Sequence, residues 1–359
     1  MIDTKSKISF SAYKRYMDCP KKEYYHAIER LRPSYTTSAL VFGSAIDEAL
    51  NYILSSVKEG AEPSVEAAVQ IYTDRFSKVK SEFQYVLWQT GDFDIDLFNE
   101  QDRDMVLRMV QNCGYKGDDL TELAKELLTS IRYSGYKYLS DNQKRAINLM
   151  CDITGVMKAS LLLAEYISYV VPRLDKIIEV QRQVEIDNIV GIIDFIGEMD
   201  GKRIIFDNKT SKNFYQSKDV KYSPQLALYS DLLGIESAGF IVLLKDIAKD
   251  KIKTCVKCGK DGTGQKHRTC DKLIDNERCH GEWDEEIRLR PMIQILTDSI
   301  DVKNSQMVRQ SLNETLAAKK ANLYPRNLSS CGWMYGRKCP YFYKCWHGSN
   351  KDLETKEKK

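Results

Sequence analysis

Residues 189–209 read IVGIIDFIGEMDGKRIIFDNK, and this stretch decides the fold. Ile189 to Met199 and Lys202 to Phe206 are two runs rich in β-branched and aromatic residues. Between them stands Asp200-Gly201, a dipeptide that closes two-residue hairpins because it tolerates positive φ at both turn positions. Pairing outward from that turn sets Met199 beside Lys202 and Glu198 beside Arg203, and six steps out Asp194 faces Asp207. Directly opposed residues have Cβ atoms roughly 4.5–5.5 Å apart, where like charges repel unless compensated. A divalent cation is the natural compensator, since hard carboxylate oxygens suit Mg²⁺ or Mn²⁺. Lys209 lies two residues beyond Asp207, so in an extended chain it shares the aspartates' face. Two acids, a lysine and a cation suffice for phosphodiester hydrolysis: the metal makes a nucleophile of a bound water, and the lysine orients that water or stabilises charge on the phosphate. The same residues also fit a plain surface hairpin, with Ile193, Phe195 and Ile205 on a core face and three solvated charges on the other.

Working outward, Ile178, Val180, Val184 and Ile186 alternate with polar residues and predict a strand over 176–186. Downstream, Ser223 is a good N-cap, Pro224 suits the first helical position and Gly234 is a natural stop. That helix carries Gln225 and Tyr229 at i, i+4, on one face. Phe240–Leu244 and Ile287–Leu289 read as strands, and a helix is predicted over 297–320. Residues 1–175 read as mostly helical. Ser11 is the expected cap of a first helix containing Tyr13, Tyr16 and Met17. A second helix starts after Phe42-Gly43 and carries Ile46, Ala49, Leu50 and Ile53 at helical spacing. Further helices are expected around 64–83, 118–132 and 143–170. The charged tail, Lys351–Lys359, is expected to be disordered.

Composition bounds the function classes. The chain has 359 residues, 43% hydrophobic and 29% charged, which is the profile of a globular protein able to bury a core. No uninterrupted apolar run approaches the ~18 residues of a bilayer span, so no membrane association is expected. The polar opening, with Asp3, Lys5 and Lys7, resembles no signal peptide, and a reducing cytoplasm is the expected location. A net charge of +3 does not by itself declare nucleic-acid binding, though a groove can be locally basic.

The order Asp194, Asp207-Asn208-Lys209, then Gln225 and Tyr229 resembles motifs of the PD-(D/E)XK nuclease superfamily. The branch it resembles is the RecB-type one, which includes CRISPR-associated exonucleases and the nuclease domains of recombination helicases. Ser11, Tyr13, Tyr16, Cys19-Pro20 and Tyr24-Tyr25 resemble that branch's opening segment. Gly43 to Glu48 stands where its first motif lies, with Asp47 where histidine is common. The resemblance touches residues 11–48, 185–245 and 325–347. It implies a restriction-endonuclease-like α/β core, a mixed sheet flanked by helices, decorated by a helical N-terminal region and a cysteine insertion. It implies that Asp194 and Asp207, the backbone carbonyl of Asn208, and Asp47 ligate Mg²⁺ or Mn²⁺. Lys209 would then position or activate water, and Gln225 and Tyr229 would organise the site. The implied substrate is DNA, with single-stranded ends preferred, in recombination, repair, replication, CRISPR-type or viral DNA processing. The chain contains no Gly-x-x-x-x-Gly-Lys-Ser/Thr loop, so unwinding would need a helicase or another recombination or replication partner. The alternative is a catalytically degenerate DNA-binding or assembly module, and RNA processing also stays open.

Ten cysteines in a reducing compartment are better read as ligands than as disulfides. Cys255-x₂-Cys258, Cys270 and Cys279 have the grouping of a Cys₄ zinc ribbon, with His267 and His280 as possible substitutes. From Lys251 to Lys272 there are seven Lys/Arg against two Asp, so the ribbon could touch phosphates or dock a protein. Cys331, Cys339 and Cys345 lack a fourth partner. In the iron–sulfur subset of the family an N-terminal cysteine joins three C-terminal ones, which implies a [4Fe–4S] cluster on Cys19, Cys331, Cys339 and Cys345. Zinc is the alternative, because Cys₄ ligation suits both. Trp333, Tyr335, Tyr341, Phe342, Tyr343 and Trp346 would pack around it. Cys113 and Cys151 are left as ordinary semi-buried thiols. The expected organisation is a helical region over 1–175, a nuclease core over 176–252 and 286–325, a ribbon over 253–285, a cysteine region over 326–350 and a tail over 351–359.

Overall fold

A computed structural model of the chain describes residues 7–89, 92–114, 119–134, 139–263, 269–274, 277–331 and 339–355. In chain order the elements begin β1 (Ile8–Ser9), α1 (Phe10–Asp18), α2 (Pro20–Ala27), β2 (Leu31–Pro33), β3 (Tyr35–Thr37), α3 (Ser38–Lys58), α4 (Val65–Ser81) and β4 (Tyr85–Leu87). They continue with α5 (Glu100–Asn112), α6 (Leu120–Ser134), α7 (Asp141–Glu165), β5 (Lys176–Ile186), β6 (Ile189–Met199), β7 (Lys202–Ser211), α8 (Ser217–Lys221) and α9 (Pro224–Leu233). The last are β8 (Ser237–Leu244), β9 (Ala248–Cys255), β10 (Leu273–Ile274), β11 (Glu277–Arg278), β12 (Trp283–Arg290), β13 (Ile293–Ser299), α10 (Val302–Lys320), α11 (Phe342–His347) and β14 (Leu353–Thr355). The chain divides into two compact units: Met1–Gln89, Leu163–Leu243 and Ile293–Lys359 form one, and Thr90–Leu162 with Leu244–Met292 the other. Helices α1 to α4 therefore share a unit with the sheet, whereas α5, α6 and most of α7 group with the cysteine-bearing strands.

The first unit is built on a six-stranded mixed sheet in the order β1-β6-β7-β8-β13, with β5 also paired to β6. The Asp200-Gly201 turn has φ of 52° and 69°, the left-handed pair the dipeptide predicts. From it the ladder runs Met199↔Lys202 to Phe195↔Phe206, in the expected register. It then stops one step short of the aspartates. Beyond that point β1 joins β6 in parallel at Ile189 and Val190. The hairpin is no surface ribbon. Ile193, Phe195 and Phe206 are fully buried on one face, and Ile196 and Ile205 are buried on the other. Ile205 pairs with Ile196 and so shares the aspartates' face, not the opposite one. Phe195 and Phe206 stack with centroids 4.8 Å apart.

Several boundaries differ from expectation. Ser9, not Ser11, caps α1, its side chain accepting from the Ala12 N–H at 3.2 Å. The chain leaves the sheet at Ser9, so the helix starts immediately after it. Thr37 caps α3, which begins five residues before Gly43. Residues 297–299 belong to β13, paired antiparallel with β8, and the helix starts only at Val302 behind the Asp301 cap. The tail is ordered at least in part, because Leu353–Thr355 pairs antiparallel with β2; residues 356–359 lie outside the described residues. Asp141–Arg173 is a continuous helical stretch of 33 residues, long and apolar enough by length and composition to cross a bilayer, although no uninterrupted apolar run reaches that length. Its most apolar window is 56% buried within the molecule, and a core helix passes the same test.

In the second unit β9 and β12 form a long antiparallel ribbon from Ala248↔Arg290 to Cys255↔Trp283. Lys249 on it reaches Asp94 and Asp96 at 2.7 and 2.8 Å.

Candidate active site and metal centres

The site is built where β6 and β7 part. The carboxylate of Asp194 takes the place of the next ladder bond, Oδ2 accepting from the Asn208 backbone N–H at 2.8 Å. Asp207, 2% exposed, presents Oδ1 to the Gln225 amide at 2.9 Å and Oδ2 to the Lys209 ammonium. Both residues on the i, i+4 face of α9 bond to the hairpin strands. Gln225 holds Asp207, and Tyr229 donates its hydroxyl to the Ile192 carbonyl at 2.9 Å. The Tyr229 ring passes over Gly191, where a Cβ would come within 2.7 Å of it, so only glycine admits the ring. From the other side α3 brings Asp47. It packs closely on the end of β7: a Cβ on Gly43, one turn earlier, would lie 3.3 Å from the Thr210 hydroxyl.

One contributor was not legible. Tyr166, fully buried, donates to Oδ1 of Asn208 at 3.2 Å. It opens a π-helical turn, Tyr166–Val170, at the end of α7. Such turns occur often at functional sites because they re-aim one side chain. No motif flags this tyrosine, since its partner lies 42 residues away.

Burial, then Asp207, then Asp47 push the Asp194 carboxyl up to about 8. Asp207 is raised by burial, against the lowering influence of Lys209. Asp47 is raised by burial and by Asp207. Burial works to lower Lys209, but its pairing with Asp207 and the nearness of Asp194 outweigh it, so it is held as an ammonium. Three carboxyl groups thus gather around Lys209, with Arg75 acting on Asp47 as well. An all-oxygen donor set with excess negative charge in a half-enclosed place fits a hard divalent ion such as Mg²⁺ or Mn²⁺. An open groove of about 1030 Å³ leads to the site, with Lys209, Gln225 and Tyr229 among its lining residues.

The cysteines form two different arrangements. Cys255, Cys258, Cys270 and Cys279 offer sulfurs all within 4.8 Å of one another, the one such group of three or more ligands among the described residues. Cys255 and Cys279 are 3.6 Å apart, as are Cys258 and Cys270. A tetrahedron with Zn–S bonds of about 2.3 Å has edges of about 3.8 Å, so these contacts suit a tetrahedral zinc ion, and four thiolates suit an Fe–S centre as well. His280 is exposed and His267 lies outside the described residues. The second set is looser. Asn327 touches both Cys19 and Cys331, its N–H donating to Cys19 Sγ at 3.5 Å and its carbonyl accepting from Cys331 Sγ at 3.6 Å. Burial raises the Cys339 thiol, and the nearness of Cys331 and Cys19 raises it further. Cys345 is buried with Tyr25, Leu31 and Tyr341, and Cys339 packs against that group. Trp333 and Tyr335 lie outside the described residues. Cys113 is half-buried, and Cys151 is fully buried rather than semi-buried.

No curated protein matches the chain. Among solved structures, the crystal structure of SSO0001 is similar over 60% of this chain and 84% of its own, with 13% identity and a TM-score of 0.20, too distant a likeness to bear on the site. The family model of the PD-(D/E)XK nuclease superfamily matches residues 7–341. That span takes in α1, Asp47, the Asp194–Asp207–Lys209 hairpin and both cysteine sets as far as Tyr341, and the chain belongs to the PD-(D/E)XK nuclease superfamily.

Proposed function

We propose that the protein is a Mg²⁺- or Mn²⁺-dependent deoxyribonuclease that hydrolyses phosphodiesters at DNA ends, preferring a single strand. The observation that carries this reading is the buried carboxylate group of Asp47, Asp194 and Asp207 set against one charged lysine, in a chain of a nuclease family. These three side chains, with the Asn208 carbonyl, would hold the ion. When bound, it would lower the pKa of a water and polarise the scissile phosphate. Gln225 fixes the rotamer of Asp207. Asn208, tied by its N–H to Asp194, fixes the backbone between the two acidic strands. Lys209 remains an ammonium, so it orients water or stabilises charge on the phosphate rather than taking a proton. Cys255, Cys258, Cys270 and Cys279 are assigned to zinc. Cys19, Cys331, Cys339 and Cys345 are assigned to a [4Fe–4S] cluster, which would clip the first helices to the C-terminal region.

The test uses anaerobically purified protein with end-labelled DNA, single- and double-stranded, linear and circular, in each metal. Cutting of linear single strands, sparing of circles and loss in Asp207→Asn are the expected results. Tight binding with no cutting in either metal would move the function to a degenerate DNA-binding module.

A further inference from the structure

Helix α1 holds a feature that catalysis does not use. Ser11, Lys14, Arg15 and Asp18 recur at i, i+3, i+4 and i+7, which is one helix face, and all four line the groove that ends at Lys209. Ala12 and Tyr16 turn the opposite way and are buried. Because Ser9 does the capping, the Ser11 hydroxyl is left exposed in the groove.

The charges on this wall are not equivalent. Asp18 is compensated by Lys22 at 2.7 Å. Arg15 is committed to Glu23 at 2.9 Å, a fully buried carboxylate that also takes Lys319 at 2.9 Å. Lys14 is exposed and makes no ion pair or hydrogen bond among the described residues. The facing wall differs: it presents the Gln183 amide and the Ile192 side chain, 50% exposed, while Glu185 there is paired with Lys7.

Resting on the nuclease reading of the site, we infer that α1 is the phosphate-tracking wall of the substrate groove. Lys14, helped by Ser11, contacts the backbone of a single strand next to the phosphate held at Lys209. A wall that offers the uncommitted Lys14 cation, opposite one that offers the Gln183 amide and the Ile192 side chain, suits a strand with phosphates on one side and unpaired bases on the other. A duplex carries phosphates along both edges and would set one row against the Ile192 wall.

The test measures binding of a fluorescent single-stranded oligonucleotide in Ca²⁺ across a salt series, and steady-state cleavage in Mg²⁺. Lys14→Glu should raise Kd and KM roughly three- to tenfold, alike for different sequences, with kcat within about twofold of wild type. Lys14→Ala should reduce the slope of log K against log salt by about 0.7, one phosphate's share for a single strand. Ser11→Ala should give a smaller rise in Kd. Lys202→Ala, at the exposed hairpin turn, should match wild type. Wild-type binding and slope in Lys14→Glu, with cleavage intact, would overturn the assignment, and so would tighter binding of duplex than of single strand. Binding that depends on Lys14 in a protein that cuts nothing would uphold the wall and overturn the nuclease reading instead.

Discussion

The aspartate site and the cysteine ribbon both gather ligands that repel one another, and they do so by opposite means. Asp194 and Asp207 stand on neighbouring strands whose side chains Ile193, Phe195, Ile196, Ile205 and Phe206 are essentially inaccessible to solvent. Apolar burial holds the acids in place, and the cost appears as raised carboxyl pKa values. Among the described residues of the ribbon, the buried cluster consists of Cys255, Cys270 and Cys279, with Cys258 and Trp283 packed against it. Its candidate ligands are its core, so a metal held there would carry its structure. A site made by the fold is available for chemistry; a site that makes the fold is committed to holding it.

The largest effect that sharpens this contrast is at the acids. Asp207→Asn should cut turnover by at least about 10²–10³-fold while the thermal midpoint stays level or rises, because a strained buried charge is removed. A collapse of the fold would show that the hairpin depends on that carboxylate. In the ribbon, Cys258→Ser or chelation should release one equivalent of metal and abolish amide protection over 251–263 and 277–288, leaving β6 and β7 protected in hydrogen exchange. Ribbon protection that survives metal loss would break the comparison.

A pH titration tests the charge argument itself. Asp194 has a folded value of about 8 against an ordinary 3.8, so the metal-free fold binds an extra proton between those values. Its contribution to stability is complete below about 3.8 and is lost as pH rises through 8. Mg²⁺ must displace that proton, so affinity should climb with pH up to about 8 and then level off, as calorimetry in buffers of different ionisation enthalpy would show. A flat affinity between pH 6 and 8 would contradict it. The smallest effect is expected from Tyr166→Phe. It removes the hydroxyl that orients Asn208 and should weaken metal binding by about tenfold, with no more than about 1 kcal/mol lost in stability.

Much of this was legible because it is local. The Asp200-Gly201 turn, the Ser223 cap, the Gln225–Tyr229 face and the Cys255–Cys279 spacing are each set by neighbours in sequence. What escaped depends on distant partners. Ser9 caps α1 because two residues of β1 pair with β6 some 180 positions away. Glu23 is buried between Arg15 and a lysine 296 residues distant, which no periodicity announces. Residues 297–299 carry a polar pattern compatible with a helix, and only the edge of β8 makes them strand. Tyr166 sits in a helix whose apolar run hides which side chain reaches Asn208.

The most direct test is single-turnover cleavage of a labelled single strand by Lys209→Ala beside wild type, with Mn²⁺ binding measured on the same samples. Lys209→Ala should still bind the ion, since the aspartates remain, yet cleave at least about 10²-fold more slowly. Cleavage at the wild-type rate, or loss of the ion together with activity, would contradict the separate roles assigned here to the aspartates and the lysine.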